Sequence, residues 1–458
     1  MYKKLFQLTS LIVLAALLFS GCASTILAPR PMALAGGQRA GHPALAVESN
    51  GTKHLVWVEY SPASANLVYT RTHFGAPELQ IQIDPPEGNI YTHPDIAVDG
   101  MGNAFIVFSQ CEFIACRDQY AVIPEDSSGA APDVLDLATG LAPSNSKTSV
   151  IARDNWVYAV YEMPLLIARA SDNVSESSAA QGNAVYYRQL QGGSRAGKVL
   201  VDLNYQAEDA SPGIDANGDL FVALKATHIS TNEASIRVYS NVGLSGDMDA
   251  ELFTSAVTGY QSSPSLAIGS DGAIYVAYAR QSGAEQQVYV RELGVFNTTV
   301  PYGSITNWEL LGDPQVTTIG ADFYTVFSAR NSASSDYEIW GLRENVTNVA
   351  QITDNLDQDG VPQLSRMTVE GSQWPVFGWR TFIDSGGSTC YGDGYLGFLS
   401  VQKVYEGKDA CGNSGQDLVA AGEFAGAVWM DVQAPLNTIQ VPWVSFNAYG
   451  NYLPVVMQ

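Results

Sequence analysis

One hairpin pattern recurs along almost the whole chain, and it restricts the fold more than any other feature. Its clearest copy is SPSLAIGSDGAIYVAYAR, from Ser263 to Arg280. It has an apolar strand, a tight turn containing glycine, and a second apolar strand ending in a polar or charged residue. Earlier copies are HPALAVESNGTKHLVWVEY from His42, HPDIAVDGMGNAFIVFSQ from His93, KTSVIARDNWVYAVYE ending at Glu162, and SPGIDANGDLFVALK from Ser211 to Lys225. Later copies are DPQVTTIGADFYTVFSAR ending at Arg330 and VPQLSRMTVEGSQWPVFGWR ending at Arg380, with a weaker hairpin from Ala427 to Phe446. Pro43, Pro94, Pro264, Pro314 and Pro362 mark five starts at separations of 51, 170, 50 and 48 residues, and the long gap holds two irregular copies.

A period near fifty with only strand-like content predicts a β-propeller of four-stranded blades rather than a solenoid, whose repeats are shorter. The segments between hairpins supply two more strands each, as in 287–291 and 305–311 after the fifth copy. Inner strands of a blade are crowded on both faces, which suits Ala44-Leu45-Ala46-Val47 and Leu266-Ala267-Ile268. Gly51, Gly102, Gly218 and Gly272 stand where tight turns require positive φ. The expected fold is all-β, a propeller of eight blades, with seven blades and an accessory hairpin as the alternative. One strand follows the last hairpin, and residues 25–35 are available to complete that blade and close the ring.

The N-terminus has the layout of a secretory signal, with Lys3 and Lys4 before an apolar run from Leu11 to Phe19 that is shorter than the roughly 20 residues a membrane span needs. Ser20-Gly21-Cys22 resembles a bacterial lipobox, with Phe19 where that motif usually has Leu. The resemblance implies a lipid anchor on Cys22 and an extracytoplasmic place at the bacterial cell envelope. The expected organisation is a signal peptide over 1–21, a lipidated segment over 22–41, and one propeller domain over 42–458. Removing 1–21 takes two lysines and no acid, which moves the formal charge from −23 to −25. Such a surface repels nucleic acid and favours solubility. The four remaining cysteines fall as Cys111 with Cys116 and Cys390 with Cys411. Three disulfide connectivities are possible, and proximity favours the local one. Zinc is the competing reading, but no CxxC pair or nearby histidine supports it.

Pro-x-Leu/Ile-Ala-Val-Asp, followed by a turn glycine and Val-x-Trp/Phe/Tyr, resembles sialidase-like (BNR-type) propellers across most of 42–330. Tyr337-Glu-Ile-Trp340 with 350–362 looks like a TolB-like propeller repeat. In such propellers the loops preceding first strands and following second strands share one face. That resemblance places Tyr91, His93, Asp209, Tyr260 and Asp313, with Glu59, Gln110, Glu162, Lys225, Arg280, Arg330 and Arg380, around the axis. The three arginines lie 50 residues apart at matching strand ends, an arc whose guanidinium forks suit carboxylate or sulfate. The competing reading is a set of rim arginines paired with acids. The Asp-box turn of sialidases is absent, which argues against an active sialidase. Asp354, Asp357 and Asp359 before Gly360 resemble part of a calcium loop, without the later bidentate Glu, and a solvated turn is the simpler reading. The histidines form no zinc pattern, and His42 and His93 read as caps on repeat starts. The function expected is a non-enzymatic envelope lipoprotein presenting a binding scaffold to a ligand or protein. The alternative is a glycan-active enzyme, or an acidic-glycan binder, using the arginine arc.

Overall fold

The computed structural model describes residues 39–61, 64–73, 76–112, 115–138, 147–166, 181–200, 202, 204–248, 251–257, 261–282, 285–293, 308–331, 336–343, 349–354, 358–369, 372–382, 394–398, 400–403, 416–421, 424–429, 431–433, 438–440 and 443–447. The signal segment with Cys22, the proposed closing strand 25–35, Tyr260, Asp357, Cys390 and Cys411 lie outside them. Every regular element among the described residues is a strand.

The strands fall into successive antiparallel groups. The first is Arg39–Val47, Lys53–Tyr60, Ala65–His73 and Ala76–Ile83; the second is Ile90–Val98, Ala104–Glu112, Ala115–Ile123 and Val134–Asp136. A parallel bridge from Ala65 to Ile90 joins these two. The third group runs from Thr148–Arg153 through Trp156–Leu166 and Gln181–Gln191 to Ala196–Lys198, and the fourth from Tyr205–Ile214 through Leu220–His228 and Ala234–Ser240 to Glu251–Val257. The fifth begins with Ser265–Ile268 and Ile274–Ser282, the sixth with Gln315–Ile319 and Asp322–Asn331. They are joined where Trp308–Leu310, the outer strand of the fifth, pairs with 329–331. The seventh opens with Gln358–Val369 and Ser372–Phe382 and is again four-stranded. The eighth pairs Gln416–Ala421, Phe424–Trp429 and Trp443–Asn447, beside a small hairpin of Asp431–Gln433 and Thr438–Gln440. Its leading hairpin therefore begins at Gln416, eleven residues before the Ala427 start expected from sequence. The outcome is an all-β, propeller-like fold containing several four-stranded sheets.

Alternation of side chains across the second strands builds the core. Val157, Ala159 and Tyr161 pack with Phe105 and Val107 of the second group, while Tyr158 and Val160 pack with Leu220, Val222 and Leu224 of the fourth. Each such strand is apolar on both faces because each face meets a different sheet. The same alternation places Phe221 and Ala223 against Leu266 and Val276. Inner strands lie beside inner strands in chain order, and Arg39–Val47 also lies beside Gln416–Ala421.

Hydrogen bonds between successive groups recur in register. The Asp95 carboxylate accepts the Val150 amide at 2.9 Å, the Ser211 hydroxyl accepts Leu266 at 3.0 Å, and the Ser265 hydroxyl accepts Val316 at 3.1 Å. In the second strands, the Tyr158 and Tyr275 hydroxyls donate to the Gly218 and Ala321 carbonyls of the following hairpin turn, at 2.9 and 2.8 Å. The four expected turn glycines have φ of 90°, 85°, 82° and 87°. The expected disulfide is present between Cys111 and Cys116, which stand directly opposite each other on neighbouring strands.

Candidate functional site

The inner strands do not begin at the His-Pro pairs. They begin earlier, at Arg39 and Ile90, and each His-Pro pair forms a β-bulge in which two residues oppose one. His42 and His93 are therefore mid-strand residues and not caps. The bulge repeats between Glu208 and Ser211 and between Gly360 and Gln363. Its first residue is left-handed, with φ of 51° at His42, 48° at His93 and 54° at Asp209. Non-glycine residues held there cost about 1–3 kcal/mol each and persist only where the surroundings impose them.

Register makes the next rule plain. The residues that link successive groups, Asp95, Ser211 and Ser265, each stand two positions after a rim residue: His93, Asp209 and Ser263. By the same count Lys147 and Asp313 occupy the rim in the third and sixth groups. The rim thus runs His42, His93, Lys147, Asp209, Ser263 and Asp313, one residue from each of six successive groups.

These side chains meet. The His42 and His93 rings are 4.5 Å apart and inclined by 50°. Burial, and then the neighbouring His93, lower the His42 imidazole to about 4, which leaves it neutral in ordinary conditions. Lys147 forms an ion pair with Asp209. The Ser263 amide donates to Asp313 Oδ1 at 2.9 Å. Behind the rim, buried Glu162 accepts the Asp209 amide on Oε1 at 3.0 Å, and Lys225 pairs with Glu208 at 3.0 Å. Burial pushes the Glu162 carboxyl up to about 7, only partly offset by the Asp209 amide and Lys147. Burial also raises Asp313, partly offset by Ser263. For Asp209 burial acts upward, but the Lys147 ammonium together with Ser263 and Lys225 holds it below its ordinary value. The result is a linked polar arc across the third to sixth groups, with one carboxyl poised to titrate near neutrality.

Of the residues singled out from sequence, His93, Asp209, Glu162, Lys225 and Asp313 belong to this rim or to its backing. Tyr91 is buried, its ring edge-on to Phe108 at 4.7 Å and its hydroxyl donating to the Asp84 carbonyl at 3.4 Å. Glu59 sits opposite Ala40 at the strand end, half-buried, and burial raises its carboxyl. The arginines differ among themselves. Arg330 donates to Glu309 at 2.9 Å and lies 4.8 Å over the Tyr337 ring. Arg280 lies 4.3 Å over the Tyr289 ring, and its buried Nε has no hydrogen-bond partner among the described residues. The Arg380 backbone pairs with Gly360 and Gly394, and its side chain lies outside the described residues. In the candidate calcium loop Asp354 is exposed and Asp359 buried, and Asp357 is outside the described residues. Among the described residues no three His, Cys, Asp or Glu side chains converge as a metal site. Lys147 escaped the sequence reading because Thr148, not proline, follows it. The rule that finds it is the count of two positions back from a Ser or Asp link.

No family model and no curated protein matches the chain. Several solved structures are similar to it. One is an ulvan lyase of polysaccharide lyase family PL25, with a TM-score of 0.46 and 9% identity over 94% of this chain and 98% of that one. Another is a TolB protein of Agrobacterium tumefaciens, with a TM-score of 0.35 and 12% identity over 70% of this chain and 94% of that one. A third is an α-L-arabinanase of Penicillium chrysogenum, with a TM-score of 0.34 and 12% identity over 67% and 92%. Their functions differ from one another, and at these scores they assign none to this chain.

Proposed function

We propose that the chain is a closed eight-bladed propeller, lipid-anchored at the cell envelope through Cys22, that acts as a binding scaffold rather than an enzyme and recognises its ligand at the rim. The observation that carries the rim reading is the convergence of Lys147, Asp209, Ser263 and Asp313, from four successive groups, into one hydrogen-bonded arc backed by Glu162. Carboxyl groups outnumber cations in that arc, so it suits a hydroxyl-rich neutral or cationic ligand more than an anion. The lipid anchor is supported by the lipobox resemblance, and ring closure by the contact of the first inner strand with that of the eighth group. An envelope protein or a glycan is the partner class such a scaffold would take. The rim reading is tested by glycan-array and direct binding with the soluble form starting at Ala23. Lys147→Met and Asp209→Asn should each weaken a captured ligand about tenfold or more. Binding unchanged in both variants would discard the rim.

A second reading rests on Arg280. Its partnerless Nε keeps open the acidic-glycan alternative, alone or with Arg380. Sialoside binding that disappears in Arg280→Ala would favour it over the rim, and glycoside turnover lost in rim variants would replace the scaffold by an enzyme.

A further inference from the structure

Two arginines on innermost strands hydrogen-bond to neutral acceptors of neighbouring groups. Arg366 lies three positions after Gln363, the link position of the seventh group, and Arg153 four positions after its equivalent Ser149 in the third. They are therefore within one residue of the same depth, roughly 16 to 20 Å below the rim at about 3.3 Å per residue. Both reach around the axis toward the groups between them, from opposite sides. Arg366 donates to the Thr318 hydroxyl, and to the Thr318 carbonyl at 3.3 Å. Arg153 donates to the Ile214 carbonyl at 3.0 Å. Thr318 in turn donates to the Ile268 carbonyl at 3.2 Å, so 214, 268 and 318 form one level across the fourth, fifth and sixth groups.

Neither guanidinium has a carboxylate within ion-pair distance among the described residues, whereas Arg71, Arg195, Arg237 and Arg330 each have one. The nearby turn aspartates are engaged elsewhere: Asp215 accepts the amides of Asn217 and Asp219, and Asp271 that of Ala273. Burial, and then the charge of Arg153, make Arg366 hold its proton less tightly than an ordinary arginine. A half-buried cation facing a like charge, with only neutral acceptors, is stabilised by an anion placed between them.

We propose that Arg153 and Arg366 form a binding site for a small oxyanion, a sulfate or phosphate group, inside the axial channel. The proposal does not depend on the rim. Inorganic sulfate and inorganic phosphate, titrated calorimetrically into the full-length chain at low ionic strength, should each bind at one saturable site. Arg366→Gln and Arg153→Gln should each weaken that site by about tenfold or more, and Arg366→Lys should retain part of it. Arg280→Gln should leave it unchanged, which separates this site from the second reading above. Sulfate should also raise the melting temperature of the wild type relative to chloride at matched ionic strength, a readout that needs no variant. Absence of saturable binding and of the thermal shift would overturn the proposal, as would wild-type affinity in either Arg366→Gln or Arg153→Gln, or a site lost in Arg280→Gln alone.

Discussion

Glu162 sits between two demands. It must accept the Asp209 amide that holds the left-handed rim residue in place, yet it does so from a buried position that disfavours its charge. With its carboxyl at about 7 against an ordinary 4.5, the folded chain keeps a proton that the unfolded chain releases. The stability from this group is complete below about pH 4.5 and disappears as pH rises through about 7. In urea titrations stepped across that window, the wild type should lose unfolding free energy more steeply than Glu162→Gln. Asp95 behaves likewise in a lower window, since burial raises it from 3.8 to about 6 despite the amides of Val150 and Ile96. Asp95→Asn should flatten the pH dependence below about pH 6 and leave the slope above it to Glu162. The uncharged links supply a plainer test. Ser265→Ala strands the Val316 amide at a cost of about 1–3 kcal/mol by chemical denaturation, and Ser265→Thr, which keeps the hydroxyl, should recover most of it.

At the level of single elements, the disulfide ties the end of one strand to the start of the next across five residues of sequence. So short a loop limits the entropy it removes from the unfolded chain, and Cys111→Ser with Cys116→Ser should cost about 2 kcal/mol by thermal or urea unfolding. The hairpins were legible before any coordinates, since period-two apolar runs such as Tyr275-Val276-Ala277-Tyr278 and a positive-φ glycine leave few other solutions. The bulge was not. Proline marks it in the first two groups, but the fourth has Ala210 there and carries its proline two positions later, at Pro212. Aligning on proline therefore misplaced the register by the amount that decides which side chain reaches the rim. Arg153 and Arg366 were hidden for a related reason. In sequence they are polar residues inside apolar strands, and only the stacking of neighbouring inner strands puts them at one depth.

Across the whole molecule, the described side chains of the second to sixth groups bury both faces against their neighbours, so none of these groups is complete alone. If the ring is closed as proposed, a chain ending before Gln416 leaves the strand Arg39–Val47 without one neighbour. Hydrogen exchange should then quicken first in that strand and in Gln358–Val369, the two that flank the missing group, and spread inward from there. An open array would show quickening beside the cut alone. The strong negative charge acts at the same scale, because it raises the cost of gathering carboxylates along the rim, and binding at the proposed rim site should therefore depend on salt.

The bulge also separates two kinds of information that a repeat protein usually has to write in the same residues. Two positions beyond it, a hydroxyl or carboxylate can hold the next sheet. At the bulge itself the side chain is lifted out of the ladder and answers to nothing in the core. Histidine and aspartate both stand there in one chain, on the same left-handed backbone, at His42, His93 and Asp209. The rim behaves as a row of interchangeable letters mounted on a fixed frame, and a lineage could respell its recognition one repeat at a time without renegotiating the fold.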